Sequence, residues 1–184
     1  MTRILGISGS LRAASFNTAL LRAAQSLVEP GVTLDAATLH GIPLYDGDAE
    51  AREGLPVAAA ELKERIVASD GVLLVTPEYN NSIPGTLKNT IDWLSRPSKD
   101  IARVFKGKPV GLIGATPGMG GTRLAQNAWL PVLRVLGMQL WCGGSLSVSD
   151  AGKMFDDSGT LTDAKTRELL TRYMQGFVAF TQQG

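Results

Sequence analysis

The sequence predicts an α/β fold in which one parallel sheet carries helices on both faces. Three observations lead there. Short apolar runs alternate along the chain with longer stretches of helical periodicity. The run Gly71-Val72-Leu73-Leu74-Val75-Thr76 is apolar at successive positions, as a strand covered on both faces must be. Successive strands separated by helices are joined by right-handed crossovers, which leave few other arrangements.

Taken in order, Arg3 to Ser8 reads as the first strand and runs into a Gly/Ser turn. Leu20, Leu21, Ala24, Leu27 and Val28 follow at helical spacing and stop before the breaker pair Pro30-Gly31. Val32 to Leu39 alternates apolar and polar residues, as an outer strand would. A polar loop follows, then a second helix over about Ala58 to Ser69, with Leu62 and Ile66 on one face. Gly71 to Thr76 is the central strand. A helix starting near Pro84, where a missing N–H costs nothing, turns Leu87, Ile91 and Leu94 inward. Val110 to Ala115 is the fourth strand, and a Gly-rich turn leads to a helix over about Thr122 to Leu136. The fifth strand starts at Gln139 to Cys142 and resumes at Leu146 to Val148. Asp163 to Thr181 closes the chain as a helix, with Thr162 as its expected N-cap. Arg96 to Gly107 and Ser149 to Gly159 read as long, mobile loops. Five strands fit the flavodoxin-like order 2-1-3-4-5, a three-layer sandwich, over a single domain spanning residues 1–184.

Composition narrows the function. The 184 residues carry a formal net charge of +1, against the basic excess that a phosphate-reading surface shows, so no nucleic-acid partner is expected. No apolar run approaches the ~18 residues of a membrane span, and the N-terminus is too polar for a signal peptide. A cytoplasmic protein with no membrane partner is expected. One cysteine, Cys142, allows no internal disulfide and no cysteine zinc site, so no metal is expected. The apolar surroundings of Cys142 suggest a core thiol, and the single histidine, His40, reads as a solvent-facing strand end. Trp93 and Trp129 suit packing or a subunit contact.

Ligands of such sheets sit beyond the carboxyl ends of the strands, near the switch point between strands one and three. That rule selects the turns after Ser8, Thr76 and Ala115. The first, Gly9-Ser10-Leu11-Arg12-Ala13-Ala14-Ser15-Phe16-Asn17, opens a helix. Helix N-terminal amides, the hydroxyls of Ser10 and Ser15, the Asn17 amide and the forked Arg12 suit a phosphate dianion. The plainer alternative is a turn in which Ser15 or Asn17 caps the helix, but Arg12 has no part in capping. The sequence lacks both the dinucleotide GxGxxG fingerprint and the P-loop, which points to a mononucleotide such as FMN.

The second turn is Thr76-Pro77-Glu78-Tyr79-Asn80-Asn81-Ser82-Ile83-Pro84-Gly85, stiffened by its prolines. Tyr79 offers a flat wall to a planar ring, and exposed peptide groups can meet the polar ring edges. The alternative is a rigid loop with Asn80 and Asn81 as turn residues. Glu78 has no carboxylate or histidine partner, so it is expected to act through its backbone amide. The third turn, Gly114 to Arg123, lets the backbone approach a ligand around Gly118, with Thr116 bonding one ring edge; a flexible turn explains this stretch equally well. Lys88, Asn89 and Asp92 follow at helical spacing and either brace the second loop or form a solvated face.

Gly9-Ser10-Leu11-Arg12-x-x-Ser15-x-Asn17, with Pro77-Glu78-Tyr79-Asn80-x-Ser82-x-Pro84-Gly85-x-Leu87-Lys88-Asn89-x-Ile91-Asp92-Trp93, resembles the NADPH-dependent FMN reductase family. Within it the sequence is most similar to the branch of soluble quinone and chromate reductases, which Ile42-Pro43-Leu44-Tyr45-Asp46 also resembles. The resemblance implies noncovalently bound FMN and two-electron reduction of quinones and other small acceptors by NADPH or NADH. It implies that Ser10, Leu11, Arg12, Ser15, Phe16 and Asn17 hold the phosphate and ribityl chain. Pro77, Glu78, Tyr79, Asn80 and Asn81 would line the isoalloxazine, with Thr116 and Gly118 at its far side. It further implies a homodimer or homotetramer with the flavin near a subunit boundary. The sequence departs from the family pattern at Asn81, where a bulky residue is common, and at Thr116-Pro117-Gly118, where relatives are Ser-rich. No residue is expected to be a catalytic nucleophile, acid or base, because the cofactor carries the chemistry. The rival readings are a flavodoxin-type electron carrier, a reductase using FMN as a dissociable substrate, and a non-enzymatic flavin-binding regulator.

Overall fold

In the computed structural model, which describes residues 1–183, a parallel sheet runs in the order β2-β1-β3-β4-β5. The strands are β1 (Thr2–Ser8), β2 (Val32–Ala37), β3 (Gly71–Val75), β4 (Pro109–Ala115) and β5 (Gln139–Leu140), with β6 (Leu146–Val148) also on β4. The expected topology is therefore present, including the broken fifth position. β5 pairs with the start of β4 (Pro109 with Gln139) and β6 with its end (Ala115 with Val148).

Helices α1 (Phe16–Gln25) and α8 (Ala164–Thr181) cover one face; α3 (Val57–Val67), α4 (Gly85–Leu94), α5 (Ile101–Phe105) and α6 (Arg123–Val135) cover the other. β3 shows why the sheet needs both layers. Leu73 and Val75 pack with Leu20, Leu21 and Phe177, whereas Val72 and Leu74 pack with Ile66, Leu87 and Trp129. Side chains that alternate across a strand can be apolar throughout only when both sides are dry. Gly111 lets α8 come close: a Cβ there would lie 2.9 Å from the Tyr173 hydroxyl, which donates to Leu112 O at 3.0 Å.

Several expectations are corrected. The polar stretch after β2 contains a helix, α2 (Gly47–Glu53), exposed enough to leave no apolar stripe in the sequence. Its N-cap Asp46 accepts the Asp48 N–H at 2.8 Å. The segment expected to be a loop from Arg96 to Gly107 holds a 3-10 turn (Ser98–Asp100) and α5, because Val104 and Phe105 are drawn into the core. The segment from Ser149 to Gly159 holds α7 (Ala151–Met154), anchored by buried Ala151 and Phe155. The cap of α8 is Asp163, not Thr162; the carboxylate accepts the Thr166 N–H at 2.7 Å, while Thr162 Oγ1 donates to Met154 O. Cys142 is exposed, because the chain leaves the sheet after Trp141, whose N–H bonds Val110 O at 2.9 Å and whose ring packs edge-on against Tyr173 at 4.6 Å. His40 is exposed as expected but lies in a turn beyond the end of β2. Trp93 and Trp129 are fully buried, which settles them as packing residues. Among the described residues, no helix is long and apolar enough to cross a membrane.

Candidate active site

The three turns meet at the carboxyl edge of the sheet, beside the reversal of strand order at β1 and β3. Gly9 N–H bonds Val75 O at 2.9 Å, Thr76 N–H bonds Ile113 O at 2.8 Å and Thr116 N–H bonds Val148 O at 3.0 Å. Each turn is thus sewn to the next strand over. Gly9 must be small, since a Cβ there would sit 2.8 Å from Pro77 Cδ and 2.9 Å from Leu87 Cδ2. Between the turns lies a cleft of about 260 Å³.

Ser10, Arg12, Ser15, Phe16 and Asn17 supply one wall; Pro77, Glu78 and Tyr79 supply the second; Ala115, Thr116 and Pro117 close the third. Leu11, Asn80, Asn81 and Gly118 do not line this cleft and are exposed. Ala115 and Pro117 are the lining residues that the sequence reading passed over. Ala115 was hidden as the apolar last residue of a strand, and Pro117 could have been flagged by its place beside Thr116.

The roles inside the cleft are unequal. Ser15 caps α1, its Oγ accepting the Thr18 N–H at 3.3 Å, and Ser10 Oγ accepts the Arg12 N–H at 3.3 Å. The Asn17 side chain is buried and bonded at both ends: Nδ2 donates to Ala115 O at 2.8 Å and Oδ1 accepts the Ala115 N–H at 2.9 Å. It locks α1 to the end of β4, and its backbone amide remains open to a ligand. That amide and that of Phe16 have no acceptor among the described residues, as first-turn helix amides do when they await a partner. Arg12 donates to Ala14 O at 3.2 Å and pairs with no acid among the described residues.

Glu78 is the surprise. Its carboxylate accepts the N–H groups of Leu124 and Ala125 at 2.9 and 3.0 Å, so it caps α6 from another loop. Its backbone amide, the group expected to act, remains without a partner among the described residues. Thr76 provides a second tie, accepting from Trp129 Nε1 at 3.1 Å and donating to Pro77 O at 2.9 Å. Asn80 and Asn81, at φ of 51° and 59°, form the tip of a tight turn closed by Tyr79 and Ser82, as a type I′ geometry demands. The amides of these two asparagines are also unpartnered among the described residues. Asn89 braces a different segment from the one expected, donating to Pro43 O and accepting the Tyr45 N–H, both at 2.8 Å. Lys88 pairs with Asp92 at 2.6 Å on the same helix.

A cleft with a guanidinium free of any acid partner and unpaired helix amides among the described residues, a tyrosine wall, and its one carboxylate already engaged suits a flat, phosphorylated ligand. The model of the NADPH-dependent FMN reductase family matches residues 2–153. The chain belongs to that family. It is therefore an FMN-containing, NAD(P)H-dependent oxidoreductase. It is 43% identical to an NAD(P)H-dependent FMN reductase of Pseudomonas aeruginosa over 94% of this chain and 91% of that one. It is 35% identical to a 2-hydroxy-1,4-benzoquinone reductase of a Burkholderia species over 98% and 96% of the two chains. Among solved structures it is similar to the flavoenzyme NAD(P)H:(acceptor) oxidoreductase FerB of Paracoccus denitrificans. That similarity has a TM-score of 0.88 at 33% identity and covers 100% of this chain and 98% of the other.

The cleft fits the cofactor of this family. Its donors are those a phosphate and a polar ring edge require, and its one acid is turned away into α6. At about 260 Å³ it is smaller than the ~300–1,000 Å³ common for ligand pockets.

Proposed function

We propose that the protein is a quinone reductase that takes two electrons at a time from NADPH or NADH and uses FMN held in this cleft. The observation that carries the reading is the Arg12 guanidinium, free of any acid partner among the described residues, beside the unpartnered amides of Phe16 and Asn17. In this reading Arg12, those amides and the hydroxyls of Ser10 and Ser15 hold the phosphate, and Leu11 covers the ribityl side. The amides of Glu78, Asn80 and Asn81 and the Thr116 hydroxyl bond the polar ring edges, where negative charge gathers on reduction. Tyr79, Pro77 and Gly118 frame the ring and leave one face accessible.

Bound FMN supplies the hydride chemistry. The chain's own work is to fix the ring, to favour its reduced charge with N–H donors and to offer a flat wall at Tyr79. Donor and acceptor occupy the same open face in turn, which gives ping-pong kinetics. The relative named for a benzoquinone supports quinones as the acceptor class, and chromate and other small oxidants are acceptors to be tested beside them. Exposed Leu124, Leu130 and Val135 on α6 support assembly into a homodimer or homotetramer. Cytoplasmic placement and a single-domain organisation belong to the same reading.

The decisive measurement is an absorbance spectrum of the purified protein before and after anaerobic NADPH. A yellow protein bleached by NADPH alone, with parallel initial-rate lines against benzoquinone, is expected. Bleaching only in the presence of a partner reductase would favour an electron carrier instead, and intersecting lines would remove the shared-face scheme. Arg12→Ala weakens FMN binding by ~1.5–3 kcal/mol, the worth of a charge-assisted contact, so this variant loses flavin on dialysis.

A further inference from the structure

A dinucleotide donor has two ends, and only the reacting one belongs at the open flavin face. Beside it lies a second cavity of about 480 Å³. Arg12, Ser15 and Phe16 line both, so the two share a wall. The half-buried ring of Phe16 edges it, backed by the buried ring of Phe155 at 5.9 Å and inclined at 31°. Its second cation is Arg22 on α1, which makes no side-chain hydrogen bond or ion pair among the described residues.

The acids facing this cavity are Asp156 and Asp157. Asp156 is spent on its own turn: Oδ1 accepts from the Ser158 and Thr160 N–H groups at 2.9 Å each and from the Ser158 hydroxyl at 2.6 Å. Asp157 is exposed. A free guanidinium recognises a phosphate through two parallel hydrogen bonds, and an aromatic surface recognises a flat base.

We propose that this cavity takes the adenosine 2′-phosphate end of NADPH, with Arg22 as the residue that distinguishes it from NADH. The proposal rests on the reading of the neighbouring cleft as the flavin site. With Arg12 engaged by the cofactor phosphate, Arg22 is the cation left for the second phosphate. Because the shared wall is the phosphate turn itself, the donor spans from the open flavin face across that turn.

Calorimetric titration of the flavin-loaded protein with adenosine 2′,5′-bisphosphate and with adenosine 5′-monophosphate tests the site without turnover. The bisphosphate is expected to bind about tenfold more tightly, the worth of one charge-assisted contact. That preference disappears in Arg22→Gln and partly returns in Arg22→Lys. In steady-state assays Arg22→Gln lowers the ratio of kcat/KM for NADPH to that for NADH by about tenfold. Asp157→Asn strengthens bisphosphate binding about twofold by removing a nearby like charge. Equal affinity for the two nucleotides, or an unchanged donor ratio in Arg22→Gln, overturns the assignment. A protein that takes up no FMN overturns the flavin reading instead, and the nucleotide preference of that apoprotein still decides the Arg22 site.

Discussion

Asn17 gives both ends of its amide to one residue, Ala115, and so couples two segments far apart in the chain. Asn17→Ala leaves the Ala115 N–H and C=O buried without partners, and an unmet buried polar group costs about 1–3 kcal/mol. Urea denaturation of Asn17→Ala is expected to show a loss of about 2 kcal/mol or more, with flavin released at lower denaturant than the unfolding midpoint. Asn17→Asp keeps the acceptor but loses the donor and adds a buried charge, so it is no milder. The motif announced Asn17 as a site residue, yet its side chain is a strut. The amino-acid type tells that an amide is needed, whereas which groups it meets depends on a strand end 98 positions away.

At the scale of elements, α6 has Thr122 at its N-cap without a side-chain capping bond, and Glu78 does the capping from a different loop. Glu78→Ala is therefore expected to lower stability by about 1 kcal/mol, the usual worth of a cap, visible as a lower Tm. Glu78→Gln keeps an acceptor and falls between. For α8, the hydrogen bonds from Thr166 hold the Asp163 carboxyl below its ordinary value of 3.8. A carboxyl lowered on folding contributes fully above the unfolded pKa and loses that contribution as pH falls through the folded one. Urea midpoints of the wild type and Asp163→Asn should thus converge as pH drops from 5 toward 3.

These elements also show what periodicity can reveal. α1, α3, α4, α6 and α8 each place apolar residues on one face, and all were legible from spacing. α2 buries nothing, so its sequence had no stripe to read. α5 is one turn and a half long, too short for a period to register, and only the burial of Val104 and Phe105 explains it. The three turns of the site were found by topology before chemistry, while the capping by Glu78 depended on tertiary contact and left no local signal.

For the molecule as a whole, the central strands β3 and β4 are buried along their full length and joined through Val72–Val110 to Val75–Ile113. Amide exchange is expected to be slowest in β3 and β4 and fastest around Asn80 and Gly118, where the backbone is exposed. Gly111→Ala forces the Tyr173 ring off Leu112 O and should cost about 1–3 kcal/mol as overpacking between sheet and α8. If that variant unfolds at the wild-type midpoint, the close approach of α8 does not govern stability.

The division of the outermost place on β4 between a two-residue and a three-residue strand has a consequence for behaviour in concentrated solution. A continuous ladder of unsatisfied donors and acceptors is what lets one molecule extend the sheet of another. Here that ladder is interrupted after Trp141, leaving rungs too few for a foreign segment to climb. The same detour that exposes Cys142 thus guards the molecule against fibril growth from this side.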